Sequence, residues 1–139
     1  MQLDGRSSKV VVADNDRTIL ELLQIRLDVA GYHAIGVRNG TAAMEMLQTL
    51  RPSAMVLDLN LPDIDGFEVL RAMHARPKTI PFPILVIGRK LGMEDVKRAI
   101  SLGARDCMAK PFSGADVLDR VARMLSRPAP APQLVQYVA

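Results

Sequence analysis

The sequence predicts an α/β fold, a doubly wound (βα)5 unit with a parallel five-stranded sheet and helices on both faces. Three observations predict it. Short apolar, often β-branched runs alternate with stretches whose apolar residues recur at helical spacing. Five such pairs follow one another between Lys9 and Arg127. Parallel strands, finally, need crossover connections of about this length.

KVVVA (Lys9 to Ala13) is the first strand, an apolar run of the kind buried on both faces of a parallel sheet. Ile19, Leu20, Leu22, Leu23, Leu27 and Ala30 then mark a helix, with Ile25 on its flank and Gly31 as its stop. A short strand spans Ala34 to Val37. The next helix carries Ala43, Met44, Met46, Leu47 and Leu50 and ends before Pro52. MVLD closes the third strand on Asp58, and Phe67, Val69, Leu70 and Met73 lie on the helix that follows. ARPKTIPFP is not helical and opens into the fourth strand, Ile84 to Ile87. Met93, Val96, Ala99, Ile100 and Leu102 form a fourth helix stopped by Gly103. Asp106 to Ala109 is the fifth strand, and Val117, Leu118, Val121 and Leu125 belong to the last helix.

In organisation, residues 1–8 read as a flexible start, 9–127 as the domain and 128–139 as a Pro/Ala-rich tail with polyproline character. Hydrophobic residues make up 49% of the 139, too many for a disordered chain, and no apolar stretch is long enough to span a membrane. One cysteine, Cys107, permits no internal disulfide. No apolar leader precedes the first strand, so the chain is expected in the cytoplasm. The net charge of +3 is uneven: residues 89–127 carry nine Lys/Arg against five Asp/Glu, whereas residues 1–88 carry nine against ten.

Functional groups of such a sheet lie beyond the carboxyl ends of its strands. Strand 1 runs into Asp14-Asn15-Asp16, strand 3 ends on Asp58, strand 4 on Gly88 and strand 5 at Lys110. Two carboxylates brought together repel unless a cation holds them. Oxygen ligands of this kind suit Mg²⁺, and Lys110 supplies a compact positive charge. A carboxylate held beside an ammonium and a divalent cation is a competent nucleophile toward a phosphoryl group. On this reading Asp58 is tolerated because its surroundings are cationic, and it is expected to be exposed because it reacts. No Gly-rich phosphate loop or Ser/Cys-His-Asp pattern competes with it, and His33 and His74 read as surface residues.

VVVADND, DLNLPDIDG, LGARD and KPF, with spacings of 30 residues from Asp58 to Gly88 and 52 from Asp58 to Lys110, carry a resemblance. Over Lys9 to about Arg127 the chain resembles the receiver domain of two-component response regulators. The resemblance implies strand order 2-1-3-4-5, Asp58 as phospho-acceptor and Lys110 as a contact to the phosphoryl group. It implies Mg²⁺ held by Asp14, Asn15, Asp58 and the backbone carbonyl of Asn60. It also implies a histidine kinase or phosphotransfer protein as donor and a downstream protein as target. Catalysis would be limited to self-phosphorylation and slow autodephosphorylation, not turnover of a metabolite.

Three positions depart from the family pattern. Asn15 replaces the usual second carboxylate, so Mg²⁺ affinity is expected to fall; Asp16 reads as a helix N-cap, not a substitute ligand. Gly88 replaces a Ser or Thr whose hydroxyl follows the phosphoryl group. Cys107 stands where an aromatic ring commonly turns inward, and it reads as a small buried hydrophobe. Two accounts of output stay open. One is a single-domain response regulator signalling by protein contact, with a homodimer through helix 4, strand 5 and helix 5. The other is a phosphorylation-independent module that binds an acidic protein, or an anionic ligand such as a cyclic dinucleotide, through Arg89, Lys90, Lys97, Arg98 and Arg105, with Arg120 and Arg123 nearby. Direct nucleic-acid binding is not expected, because the five aromatic residues are scattered.

Overall fold

The computed structural model of the chain describes residues 8–74 and 82–126. Five strands alternate with five helices: β1 (Lys9–Ala13), α1 (Arg17–Val29), β2 (His33–Val37), α2 (Gly40–Thr49), β3 (Ala54–Asp58), α3 (Gly66–His74), β4 (Ile84–Gly88), α4 (Met93–Ser101), β5 (Asp106–Ala109) and α5 (Gly114–Ser126). The strands form one sheet in the order β2-β1-β3-β4-β5, every pair parallel. The expected start and tail, and most of the ARPKTIPFP segment, lie outside the described residues.

Side chains alternate across the sheet with period two, and each face has its own core. Val11, Ala13, Met55, Leu57, Ile84 and Val86 point to one side, against Ala43 of α2, Val69, Leu70 and Met73 of α3, and Ala99 of α4. Val10, Val12, Val56, Leu85 and Ile87 point to the other, against Leu20, Leu23 and Leu27 of α1 and Val117, Val121 and Met124 of α5. Burial on both faces explains why these strands read as continuous apolar runs. Each buried Val, Leu, Ile or Met side chain among them contributes roughly 1.5–3 kcal/mol.

The helix ends follow their capping residues. Asp16 accepts from the N–H groups of Thr18 (2.9 Å) and Ile19 (3.3 Å), as expected of an N-cap. Asn39 accepts from Ala42 N–H at 2.7 Å to open α2. Gly31 (φ +100) and Gly103 (φ +107) turn the chain after α1 and α4 through left-handed backbone, which glycine adopts at little cost. Three expectations shift. β2 begins at His33, one residue early; Met93 is 70% exposed, because it stands on the open first turn of α4; and Met124 is buried deeper than its half-buried neighbour Leu125.

Candidate functional site

The parallel register carries the four strand ends to one edge. Ala13 pairs with Leu57, Asp58 with Ile87, and Gly88 with Ala109. Asp14 continues β1 and Lys110 continues β5, so residues far apart in sequence meet. Lys110 Nζ lies 2.9 Å from Asp14 Oδ2 and 3.1 Å from Asp58 Oδ2. The Lys110–Pro111 peptide bond is cis. Among the described residues, Asp14 and Asp58 are the two buried charged groups.

Asp58 departs from expectation in one respect: it is 3% exposed. Its oxygens are covered, Oδ1 by the Asn60 N–H at 3.0 Å and Oδ2 by the Lys110 ammonium. A carboxylate at the end of a central strand is shielded by the loop that follows it as well as by the strands beside it. The ammonium makes such burial affordable, since removing a charge from water costs several kcal/mol unless it is paired.

Asp14 Oδ1 accepts from the Asp16 N–H at 2.8 Å. Its Oδ2 touches the ammonium but has no hydrogen bond of good geometry, leaving a buried oxygen held by charge alone. Burial pushes the Asp14 carboxyl above its ordinary range, against the opposing pull of Lys110 and the Asp16 N–H. Burial alone would lower Lys110; the two carboxylates outweigh it and hold the ammonium above the usual lysine value.

This donor set fits a hard divalent cation. Asp14 Oδ2 contacts Lys110 but accepts no hydrogen bond, Asn15 is exposed beside it, and Asn60 lies in the loop after Asp58. Among the described residues no group of three or more His, Cys, Asp or Glu gathers. Two carboxylates, amide or carbonyl oxygens and water are therefore what the site offers, a set that suits Mg²⁺.

The two remaining departures face this edge differently. A Cβ built on Gly88 would lie 3.3 Å from Leu91 Cδ2 and 3.7 Å from Asn60 Oδ1, so Leu91 already leans over the place a switch hydroxyl would take. Leu91, Gly88, Leu59 and Phe67 line an open cleft of about 200 Å³ rimmed by Arg89 and Lys90. Cys107 is half-buried against the α2–α4 core. Burial, with the Asp106 carboxylate, pushes its thiol up to about 11, so it stays protonated and unreactive at neutral pH.

Arg89, Lys90, Lys97 and Arg98 are exposed and Arg105 is half-buried; among the described residues none of the five forms an ion pair. Arg98 lies over the Phe67 ring, 4.1 Å from its centroid, and ties α4 to α3. Arg120 pairs with Asp106 at 2.6 Å and Arg123 with Asp119 at 2.7 Å, which removes both from the expected basic face. His33 and His74 are exposed, as expected.

Sequence reasoning missed Asp63 and Arg38. Asp63 has φ +63, a conformation short polar residues tolerate. Its Oδ1 accepts from the N–H groups of Gly40 (3.0 Å) and Thr41 (3.2 Å), clamping the loop after Asp58 onto the start of α2. The approach is so close that a Cβ on Gly40 would meet the Ile64 carbonyl oxygen. Slight burial would raise Asp63, but the Thr41 side chain and the N–H groups of Ile64, Thr41 and Gly40 hold its carboxyl below the usual range. A lowered folded value stabilises above the unfolded value near 4 and is lost as pH falls through the folded one. Asp63→Asn is therefore expected to lower the urea midpoint at pH 7 and to match the native protein at pH 2–3. An equal deficit at both pH values would mean that charge plays no part in the clamp. Arg38, at the end of β2, was legible from the same strand-end rule that found the other residues.

A family model described as the response regulator receiver domain matches residues 10–122. The chain is 37% identical over 121 residues to the alkaline phosphatase synthesis transcriptional regulatory protein PhoP of Bacillus subtilis, covering 87% of this chain and 50% of that one. It spans about half the length of the curated relatives it matches. Among solved structures, a Francisella response regulator receiver domain superposes with a TM-score of 0.80 at 25% identity, over 87% of this chain and 98% of that one. The chemotaxis response regulator CheY4 of Vibrio cholerae superposes with 0.79 at 26%, over 85% and 98%. No described helix is long and apolar enough to cross a membrane. Receiver domains interact with histidine kinases or phosphotransfer proteins and generally bind Mg²⁺ at the phosphorylation site. The chain belongs to the receiver-domain family of two-component response regulators.

Proposed function

We propose that Asp58 accepts a phosphoryl group from a histidine kinase or phosphotransfer protein, and that the cytoplasmic chain signals through contact with a downstream protein. The observation that carries this reading is the Lys110 ammonium bridging Asp14 and Asp58 at 2.9 and 3.1 Å. An Asp58 oxygen attacks phosphorus, the bond from phosphorus to the donor's imidazole nitrogen breaks, and the electron pair leaves with that nitrogen. The Asn60 N–H orients the carboxylate through Oδ1. Lys110 exchanges its contact with Oδ2 for one with the transferring oxygens, whose charge it neutralises. When bound, Mg²⁺ adds positive charge for the same oxygens; Asp14, Asp58, Asn15 and the Asn60 carbonyl would hold it. Asn15 brings no formal charge, so the ion is held more weakly than by a second carboxylate.

Self-phosphorylation and slow hydrolysis of the acyl phosphate are the catalysis this arrangement supports. Gly88 and Cys107 lack a hydroxyl and a ring, so output runs through the β4–α4 loop and α4 instead of a hydroxyl–aromatic pair. Incubation with Mg²⁺ and a small phosphodonor, followed by intact mass, is expected to give one phosphoryl adduct that is absent from Asp58→Asn. An adduct that persists in that variant would remove Asp58 as acceptor.

A further inference from the structure

Arg38 follows β2 directly. Val37 pairs with Ala13, and its carbonyl oxygen accepts the Asp14 N–H at 3.1 Å. Residue 38 therefore stands at the sheet edge where Asp14 and Asn15 emerge. Asn39, immediately after it, is fixed as the N-cap of α2. The Arg38 guanidinium donates through Nη2 to the backbone carbonyl of Asn15 at 3.2 Å. The side chain is exposed and, among the described residues, forms no ion pair. Its charge thus faces the acidic site without a carboxylate of its own.

The charges decide what this means. Asp14 and Asp58 bring two negative charges and Lys110 one positive. With a second carboxylate at position 15 the edge would attract a divalent cation strongly. With Asn15 there, and Arg38 bonded to that residue's carbonyl, the formal charges of the four groups cancel. The hydrogen bond to the Asn15 carbonyl holds this cation at the site edge more often than a free ion would sit there.

We propose that Arg38 is a specificity-determining residue of this site, a resident cation beside Asn15 that opposes divalent metal binding. The inference rests on the reading of Asp14, Asn15 and Asp58 as the Mg²⁺ site. It extends that reading to a residue on a different strand, acting through charge and not through ligation. The site is thereby left less repulsive to a dianionic phosphoryl group before any metal arrives. The contrasting reading is that Arg38 only braces the β1–α1 loop through its one hydrogen bond.

Mg²⁺ titrations followed by calorimetry and amide NMR separate the two. The set is the native protein, Arg38→Gln, Arg38→Lys, Asn15→Asp and the Arg38→Gln/Asn15→Asp double variant. Arg38→Gln keeps an amide donor but loses the charge. It is expected to tighten Mg²⁺ several-fold at about 10 mM salt, since removing a nearby like charge relieves its repulsion of the divalent ion. The gain is expected to vanish near 1 M salt, where charges are screened within about 3 Å. Arg38→Lys is expected to stay close to native. Asn15→Asp is expected to tighten Mg²⁺ more in the Arg38→Gln background than alone, since Arg38 would otherwise neutralise the new carboxylate. An unchanged affinity in Arg38→Gln, a change indifferent to salt, or the absence of saturable binding in every protein would overturn the proposal. None of these outcomes depends on whether Asp58 takes phosphate, which the mass measurement reads separately.

Discussion

Lys110→Met is expected to cost about 3 kcal/mol of stability at pH 7, and acid or Mg²⁺ is expected to return much of it. Methionine keeps most of the lysine stem, so the loss comes from charge and not from a cavity. The side chains concerned are closed to water, at 8% exposure for Lys110, 0% for Asp14 and 4% for Asp58. Two buried carboxylates would then face each other with nothing between them. Taking up one proton relieves that repulsion, so the folded variant binds more protons than its unfolded chain as pH drops toward 5. Its stability therefore rises on acidification. The native protein has the same sign at this group, but in a far more alkaline window. Its lysine is held above the ordinary value, so the contribution is complete below about pH 10.4 and is lost as pH climbs through the folded value. Urea unfolding of both proteins at pH 7 and 5.5, with and without Mg²⁺, reads the difference. A variant whose deficit ignores both proton and metal would show that the ammonium holds no carboxylate pair together.

The same charges explain what could be read from the sequence. Strand ends were legible because β-branched runs stop abruptly at polar residues, and parallel topology then fixes where those ends meet. Asp14, Asp58 and Lys110 were found in this way, and they do converge. The burial of Asp58 was not legible: reactivity suggested exposure, while the covering groups are an N–H two residues on and an ammonium 52 residues away. Position along the chain does not reveal such covering. Arg120 and Arg123 looked free for a ligand because sequence shows charges without their partners; Asp106 and Asp119 take them. Asp63 was hidden for another reason. Its role depends on a left-handed backbone and on α2 passing close by, and only tertiary packing fixes either.

Gly66→Ala is expected to destabilise the fold by about 3 kcal/mol and to impair phosphorylation, whereas Gly88→Ala should be close to neutral. Gly66 is buried at the first position of α3, where its N–H donates to the Leu59 carbonyl at 3.1 Å. A Cβ there would lie 2.5 Å from the Asp58 carbonyl oxygen and 2.6 Å from Leu59 Cα. Both atoms are backbone, so no rotamer change can yield; either α3 or the chain carrying Asp58 has to move. Alanine's better helix propensity, worth up to about 1 kcal/mol over glycine, is too small to offset this. A shift of Asp58 by even part of an ångström also alters its distances to Lys110 and to the Asn60 N–H, the contacts that orient the carboxylate. At Gly88 the nearest atoms belong to the Leu91 side chain, at 3.3 and 3.4 Å, and a leucine tip turns aside cheaply. Urea denaturation with phosphorylation rates for the two alanine variants tests the contrast. Equal stability in both would mean that α3 relaxes away without cost. A stable Gly66→Ala protein that loses only its phosphorylation rate would place the strain wholly on Asp58.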